Sequence, residues 1–210
     1  ETEFTGFDED ESAARVIEFI QRDGEYYAIV DKCPLYAEKG GQVSDHGQLV
    51  IGDENILILA VTQVSGAFCL RIEEPISSWE GDPVDVMLKV DSKRRRMIEI
   101  HHTATHLMQW ALHEVVGPEV SQQGSLVDNG RLRFDFNSEA LQPDQISSVE
   151  KLVNEKVLAN DPVFWAEVKH SDVKERKDIM QFFGDKYGDM VRVVQIGGSE
   201  TDLDGYSMEL

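Results

Sequence analysis

The stretch His102-Thr103-Ala104-Thr105-His106 sets two imidazoles four residues apart. On a helix that spacing puts both rings on one face, with Cβ atoms roughly 5–6 Å apart. Two neutral imidazoles so placed suit a single metal ion. Zinc, which takes imidazole nitrogen at about 2.0–2.1 Å, is the best match. It uses about three protein ligands plus water in catalysis, or four in a structural site, so the pair is half a site. A His-x3-His pair also suits a solvated face or a satisfied hydrogen-bond site. Thr103 and Thr105 add hydroxyls to the same turn. No Glu follows His102, so this is not the His-Glu-x-x-His frame of metalloproteases. Cys33, Cys69, His46, His101 and His170 are too scattered to supply the missing ligands.

Three further clusters carry polar chemistry. Glu38-Lys39-Gly40-Gly41-Gln42-Val43-Ser44-Asp45-His46-Gly47 joins turn glycines to Gln42 and Asp45. Its glycines permit positive φ and close approach of backbone to a ligand. A plain hairpin turn explains the same pattern, and no Gly-Lys-Ser/Thr marks a Walker loop. Ser121-Gln122-Gln123-Gly124-Ser125 could line a polar pocket or simply begin a strand. Lys93-Arg94-Arg95-Arg96 is a compact basic cluster, suited to a phosphate backbone or to a solvated helix start.

The elements that must position these groups fall into two sets. Residues 15–20, 26–30, 48–50, 56–61, 67–72 and 84–90 are strand-like runs. Turn signals such as Asp23-Gly24, Gly52-Asp53 and Ser65-Gly66 separate them, which predicts a small β-barrel over residues 1–91. The period then changes. Asp91 or Ser92 caps a long helix that Gly117 stops. Met97, Ala104, Met108, Ala111 and Val115 form its expected buried stripe, with His102, His106, Gln109 and His113 opposite. A hairpin over 124–127 and 131–136, a helix over 144–160, a strand over 163–169, a short helix over 173–180 and strands over 191–196 and 206–210 complete a second domain, 92–210. The predicted class is α+β: a small barrel, then a two-layer domain of antiparallel sheet and long helix.

Bulk properties narrow the function. The chain of 210 residues carries 40 acidic and 20 basic residues, a net charge of −20, which argues against a general nucleic-acid-binding surface. No apolar run approaches the roughly 18 residues that span a bilayer, and no signal segment opens the chain, which predicts a cytoplasmic protein without a membrane partner. Glu1 in place of Met and the abrupt finish at Leu210 suggest an excised piece of something longer.

Taken together the clusters resemble the editing region of alanyl-tRNA synthetases. The family's glycine-rich stretch matches Tyr36 to Gly47, its Asn/His-His-x-Ala-Thr-His-Leu helix matches His101 to Leu107, and its Ser-Gln-x-Gly-Ser strand matches Ser121 to Ser125. Arg133-Phe134-Asp135-Phe136, Phe183-Gly184-Asp185-Lys186-Tyr187-Gly188 and Ser207-Met208-Glu209-Leu210 follow in the family's order. Cys33 and Leu35 depart from it, where Thr or Ser and Phe are commoner. The family continues past Ser-x-Glu-Leu into Cys-Gly-Gly-Thr-His, whose Cys and His are its other two zinc ligands. The resemblance thus implies that His102 and His106 are half of a Zn2+ site, left incomplete in this chain. It further implies hydrolysis of serine or glycine misattached to tRNA(Ala), with the tRNA acceptor end and the rest of the synthetase as partners. ATP would belong to an aminoacylation domain outside these residues. Thr105, Gln122 and Ser125 are the implied catalytic or serine-reading residues. Gly40, Gly41, Gln42 and Asp45 would meet the substrate, and Lys93, Arg94, Arg95 and Arg96 the tRNA. A non-catalytic tRNA-binding module and a free-standing trans-editing hydrolase of the AlaX type are the alternatives.

Overall fold

Turn chemistry and two bulges shape the N-terminal part. In the computed structural model, which describes residues 1–181 and 188–210, the elements in chain order are β1 (Glu3–Phe4), β2 (Glu11–Arg22), β3 (Glu25–Val30), β4 (Lys32–Cys33), β5 (Gly47–Ile51), β6 (Glu54–Val64), β7 (Ala67–Ile72), β8 (Val84–Val90), α1 (Ser92–Val115), β9 (Gln122–Val127), β10 (Leu132–Phe136), α2 (Pro143–Ala159), β11 (Val163–Lys169), α3 (His170–Val173), β12 (Met190–Ile196) and β13 (Ser207–Glu209). The block at residues 183–187, used above for the family resemblance, lies outside the described residues. The chain divides into two compact units: Glu1–His102 with Gly124–Arg133, and Thr103–Gln123 with Phe134–Leu210.

In the first unit six strands close into a barrel, in the order β2-β3-β7-β6-β5-β8. Asp23 (φ 54) and Gly24 (φ 84) make the two-residue turn from β2 to β3, a backbone that matches the right-handed twist of the paired strands. Closure depends on two long strands that each serve two partners. β2 pairs with β8 up to Val16 and with β3 beyond it, with a register shift between Val16 and Glu18. β6 does the same between β5 and β7, shifting register between Ile58 and Ala60. The extra residue bends and twists the strand, as a closed sheet requires. Alternate side chains fill the interior; Leu49, Leu70, Leu88, Val30 and Val61 are fully buried.

α1 begins where Asp91 caps it: Oδ1 accepts the Arg94 N–H at 3.1 Å. The expected burial of this helix holds in part: Ala111 of the apolar stripe has no exposed surface, but the opposite stripe is buried as well. Met97 is 44% exposed, whereas His106 and Gln109 are only 6% and 4% exposed. Ile98, Thr105 and Leu112 lie on the histidine side and are buried with them. The apolar count sets the polar stripe opposite the buried one, where a site would need another element to cover it. The polar stripe turns inward because its polar groups find partners, which removes most of the cost of their burial.

In the second unit α2 starts with Pro143 at its first position, with the Gln142 N–H donating to Gln145 Oε1 at 2.9 Å. It ends at Asn160 in the left-handed conformation (φ 53, ψ 44). β11, β12 and β13 form an antiparallel sheet. β9 and β10 form a hairpin whose turn, part of the first unit, is closed by the Asp128 N–H on the Arg131 carbonyl, 3.0 Å. The short helix expected over 173–180 is displaced. α3 ends at Val173, and the Met180 backbone bonds instead to the Met208 carbonyl at 2.8 Å, a tertiary pairing that overrides local helix propensity. The fold is therefore mixed α and β with a six-stranded closed barrel, in line with the predicted class. Among the described residues no helix is long and apolar enough to cross a membrane.

Candidate functional site

The glycine-rich segment is a tight turn with a structural purpose. Lys39 and Gln42 exchange backbone hydrogen bonds at 3.1 and 3.2 Å around Gly40 (φ 62) and Gly41 (φ 82). The turn then lies along β9, the Val127 N–H donating to the Gly41 carbonyl at 2.8 Å and the Val43 N–H to the Val127 carbonyl at 3.0 Å. A Cβ at Gly41 would run into the Ser125 hydroxyl and carbonyl. Only glycine lets this backbone lie flush on Ser125. Gln42 is thereby held with Oε1 2.6 Å from His102 Nδ1.

Asp45 and two of the arginines serve the same unit from within. Asp45 is 1% exposed and accepts the Tyr36 N–H at 2.8 Å and the Arg95 Nε–H at 3.0 Å. Arg95 also donates to the Gly6 carbonyl at 2.9 Å and the Pro34 carbonyl at 2.6 Å. Arg94 donates to the Ser44 carbonyl at 2.7 Å and lies 3.7 Å from the Asp128 carboxylate. Lys93 and Arg96 are exposed, the latter 3.2 Å from Glu99. The basic cluster is thus half solvent-facing and half committed to protein oxygens.

In the second unit Thr105 and His106 are buried, and His106 Nδ1 lies 2.8 Å from Glu209 Oε2. One turn further, Gln109 donates to the Val120 carbonyl at 3.1 Å, and His113 Nε2 lies 2.6 Å from the same carbonyl. A cavity of about 530 Å³ opens beside them, lined in part by Gln109, Trp110, His113, Tyr206, Met208 and Glu209. Lys156 Nζ sits 3.8 Å from the centre of the Tyr206 ring, a cation–π contact. Burial, with Asp161 nearby, pushes the Tyr206 phenol pKa up. Gln122 is half-buried at the start of β9.

No family model matches the chain. Curated relatives do. The alanine–tRNA ligase of Akkermansia muciniphila is 51% identical over 209 residues, covering 99% of this chain and 22% of the relative. That of Methylacidiphilum infernorum is 43% identical over 206 residues, covering 97% and 22%. That of Pseudomonas fluorescens is 38% identical over 208 residues, covering 94% and 24%. The chain is homologous to one segment of alanine–tRNA ligases. It spans less than a quarter of the length of these relatives.

The first unit brings His102, Gln42, Gly41 and Ser125 together. The second unit holds Thr105 and His106, with Glu209 on the His106 ring. In sequence Glu209 stands out only as part of the Ser207-Met208-Glu209-Leu210 block. Its one signal was an acidic residue in a strand-like run, too common to single it out. Gln109 and His113 were placed on the stripe but given no partner, since Val120 contacts them only through its backbone. Among the described residues no three His, Cys, Asp or Glu side chains gather as a metal-binding group. The donors present fit two positions of a zinc site, as imidazoles whose Nδ1 atoms are each already engaged by a side-chain oxygen.

Proposed function

We propose that this segment proofreads. It hydrolyses the ester that joins serine or glycine wrongly to the 3′ end of tRNA(Ala), on behalf of an alanine–tRNA ligase working in the cytoplasm. The need is chemical. Serine is alanine plus one hydroxyl, and an apolar pocket rejects such an addition by only about a hundredfold. A second site must cleave what the first lets through. Water adds to the ester carbonyl, the C–O bond to the ribose breaks, and free serine and tRNA leave.

The observation that carries this reading is the inward-facing imidazole stripe of α1, with His102 and His106 one turn apart and each Nδ1 on a side-chain oxygen. A stripe meant for solvent has no need of such support. Zinc, held at His102 and His106 with the two further ligands of the family's Cys-Gly-Gly-Thr-His block, would supply a Lewis acid there. Thr105 and Gln122 are suited to read the hydroxyl of serine, and Ser125 to support the turn that holds Gln42. Lys93 and Arg96 are the members of the basic cluster placed to meet tRNA phosphates.

The test is deacylation of serine-charged tRNA(Ala) by the intact ligase. His102→Ala should cut the rate by more than about a hundredfold, since loss of a supporting residue alone costs 10–100-fold at such sites. Alanine charging should persist. Deacylation unchanged in a folded His102→Ala enzyme would overturn the reading.

A further inference from the structure

The two supporting oxygens have a consequence for the rings they hold. We propose that Gln42 and Glu209 each act as a tautomer clamp within its own unit: Gln42 fixes the proton of His102 on Nδ1, Glu209 fixes that of His106 on Nδ1, and each ring is left with Nε2 as its lone-pair nitrogen. This deepens the editing reading and rests on it only for the purpose of the clamp, not for its existence.

The geometry argues it ring by ring. An ionised carboxylate accepts hydrogen bonds and cannot donate. Glu209 Oε2, 2.8 Å from His106 Nδ1, therefore takes a proton that Nδ1 carries. An amide Oε1 is likewise an acceptor, and Gln42 Oε1 is 2.6 Å from His102 Nδ1. In a neutral imidazole one nitrogen carries the proton and the other the lone pair, and the hydrogen bond made by one decides the role of the other. Both rings are thus set the same way. His113, on the same helix, has no such single acceptor: its Nε2 lies 2.6 Å from the Val120 carbonyl and 2.5 Å from the Gln109 amide nitrogen, an acceptor and a donor that call for opposite tautomers.

The two clamps are built differently. Gln42 is aimed by the Gly40-Gly41 turn and its bonds to β9, which explains why that turn must lie flush on Ser125. Glu209 is aimed by β13, paired to β12 opposite Val194. Gln42 and Glu209 are positioning residues, acting on any ligand or substrate only through the imidazoles.

The test reads the proton directly. In the uniformly 15N-labelled 210-residue chain at about pH 8, where an ordinary imidazole is neutral, long-range 1H–15N spectra distinguish protonated from lone-pair nitrogen. His102 and His106 should show Nδ1–H with unprotonated Nε2. Gln42→Leu should release His102 alone, and Glu209→Leu should release His106 alone. Gln42→Glu and Glu209→Gln, which keep an oxygen acceptor, should preserve the wild-type tautomers. Wild-type rings with the proton on Nε2, or tautomers that stay put in both Leu variants, would overturn the clamp. Should a Leu variant unfold, the wild-type spectrum and the oxygen-retaining variants still decide. Since no metal or tRNA enters the measurement, correct tautomers beside a failed deacylation assay would sink the editing reading and leave the clamp standing.

Discussion

The barrel and the region around α2 solve the burial problem with unequal success. In the barrel every strand is paired on both sides, and Leu49, Leu70 and Leu88 have no exposed surface. In the second unit α2 runs for 17 residues and buries none of them, and Leu158 is 84% exposed. The buried apolar cluster there is small: Val173, Ile179, Val191, Val193 and Met208. The contrast bears on precision. His102 is supported from a turn bonded to β9 beside a closed barrel, His106 from a strand of three residues. Sites are held most exactly by rigid, well-packed elements. The His102 support should therefore tolerate less change than the His106 support.

The largest expected effect breaks the barrel side. Asp45→Ala would leave the Arg95 guanidinium with the Gly6 and Pro34 carbonyls and only the largely exposed Asp10 carboxylate, 3.6 Å away, as a charged partner. Removing one member of a buried ion pair costs about 3–5 kcal/mol. Urea unfolding should show that loss; a change below about 1 kcal/mol would mean the pair behaves as a surface one. Next comes a matched pair of leucines. Leu70→Ala, from full burial, should cost about 2–5 kcal/mol. Leu158→Ala should stay within about 0.5 kcal/mol. Similar losses at both positions would erase the contrast between the two regions.

Much of the barrel was legible because its strands advertise themselves. Alternation, hairpin pairs such as Asp23-Gly24 and a cap at Asp91 are local signals, and local signals can be read from one sequence. The two bulges at Val16/Glu18 and Ile58/Ala60 were not, since an inserted residue looks like any other until its partners are known. The facing of α1 was legible only in part, for a related reason. Met97 and Ile98 are both apolar neighbours, and which of them is buried depends on what His102, His106 and Gln109 bond to. Those partners, Gln42, Glu209 and Val120, lie 60, 103 and 11 residues away in sequence. The imidazole pair itself was legible at once from its spacing; its supports were not, because no short motif links them. Arg94 and Arg95 taught the same lesson in reverse. A run of four basic residues reads as one surface, yet two of them turn inward to Ser44, Asp45 and Pro34.

The most indirect effect, a difference of slopes, tests how dry the barrel side is. Cys33 has no exposed surface, and burial pushes its thiol pKa up to about 12. An unfolded thiol titrates near about 8.5. Above that pH the unfolded chain releases the proton while the folded chain keeps it. The folded state then binds more protons, so stability falls as pH rises, by up to about 1.4 kcal/mol per pH unit from this group. Other groups titrate in the same range, so the measurement is a difference. Cys33→Ala should flatten the decline between about pH 9 and 11 relative to wild type, whatever the substitution does to stability at neutral pH. Cys69, half-buried on β7, is raised in the same direction, so its Ala variant should flatten the decline less. If Cys33→Ala and Cys69→Ala give equal slopes, water reaches both thiols alike and the barrel interior is not the closed core that its strand pairing requires.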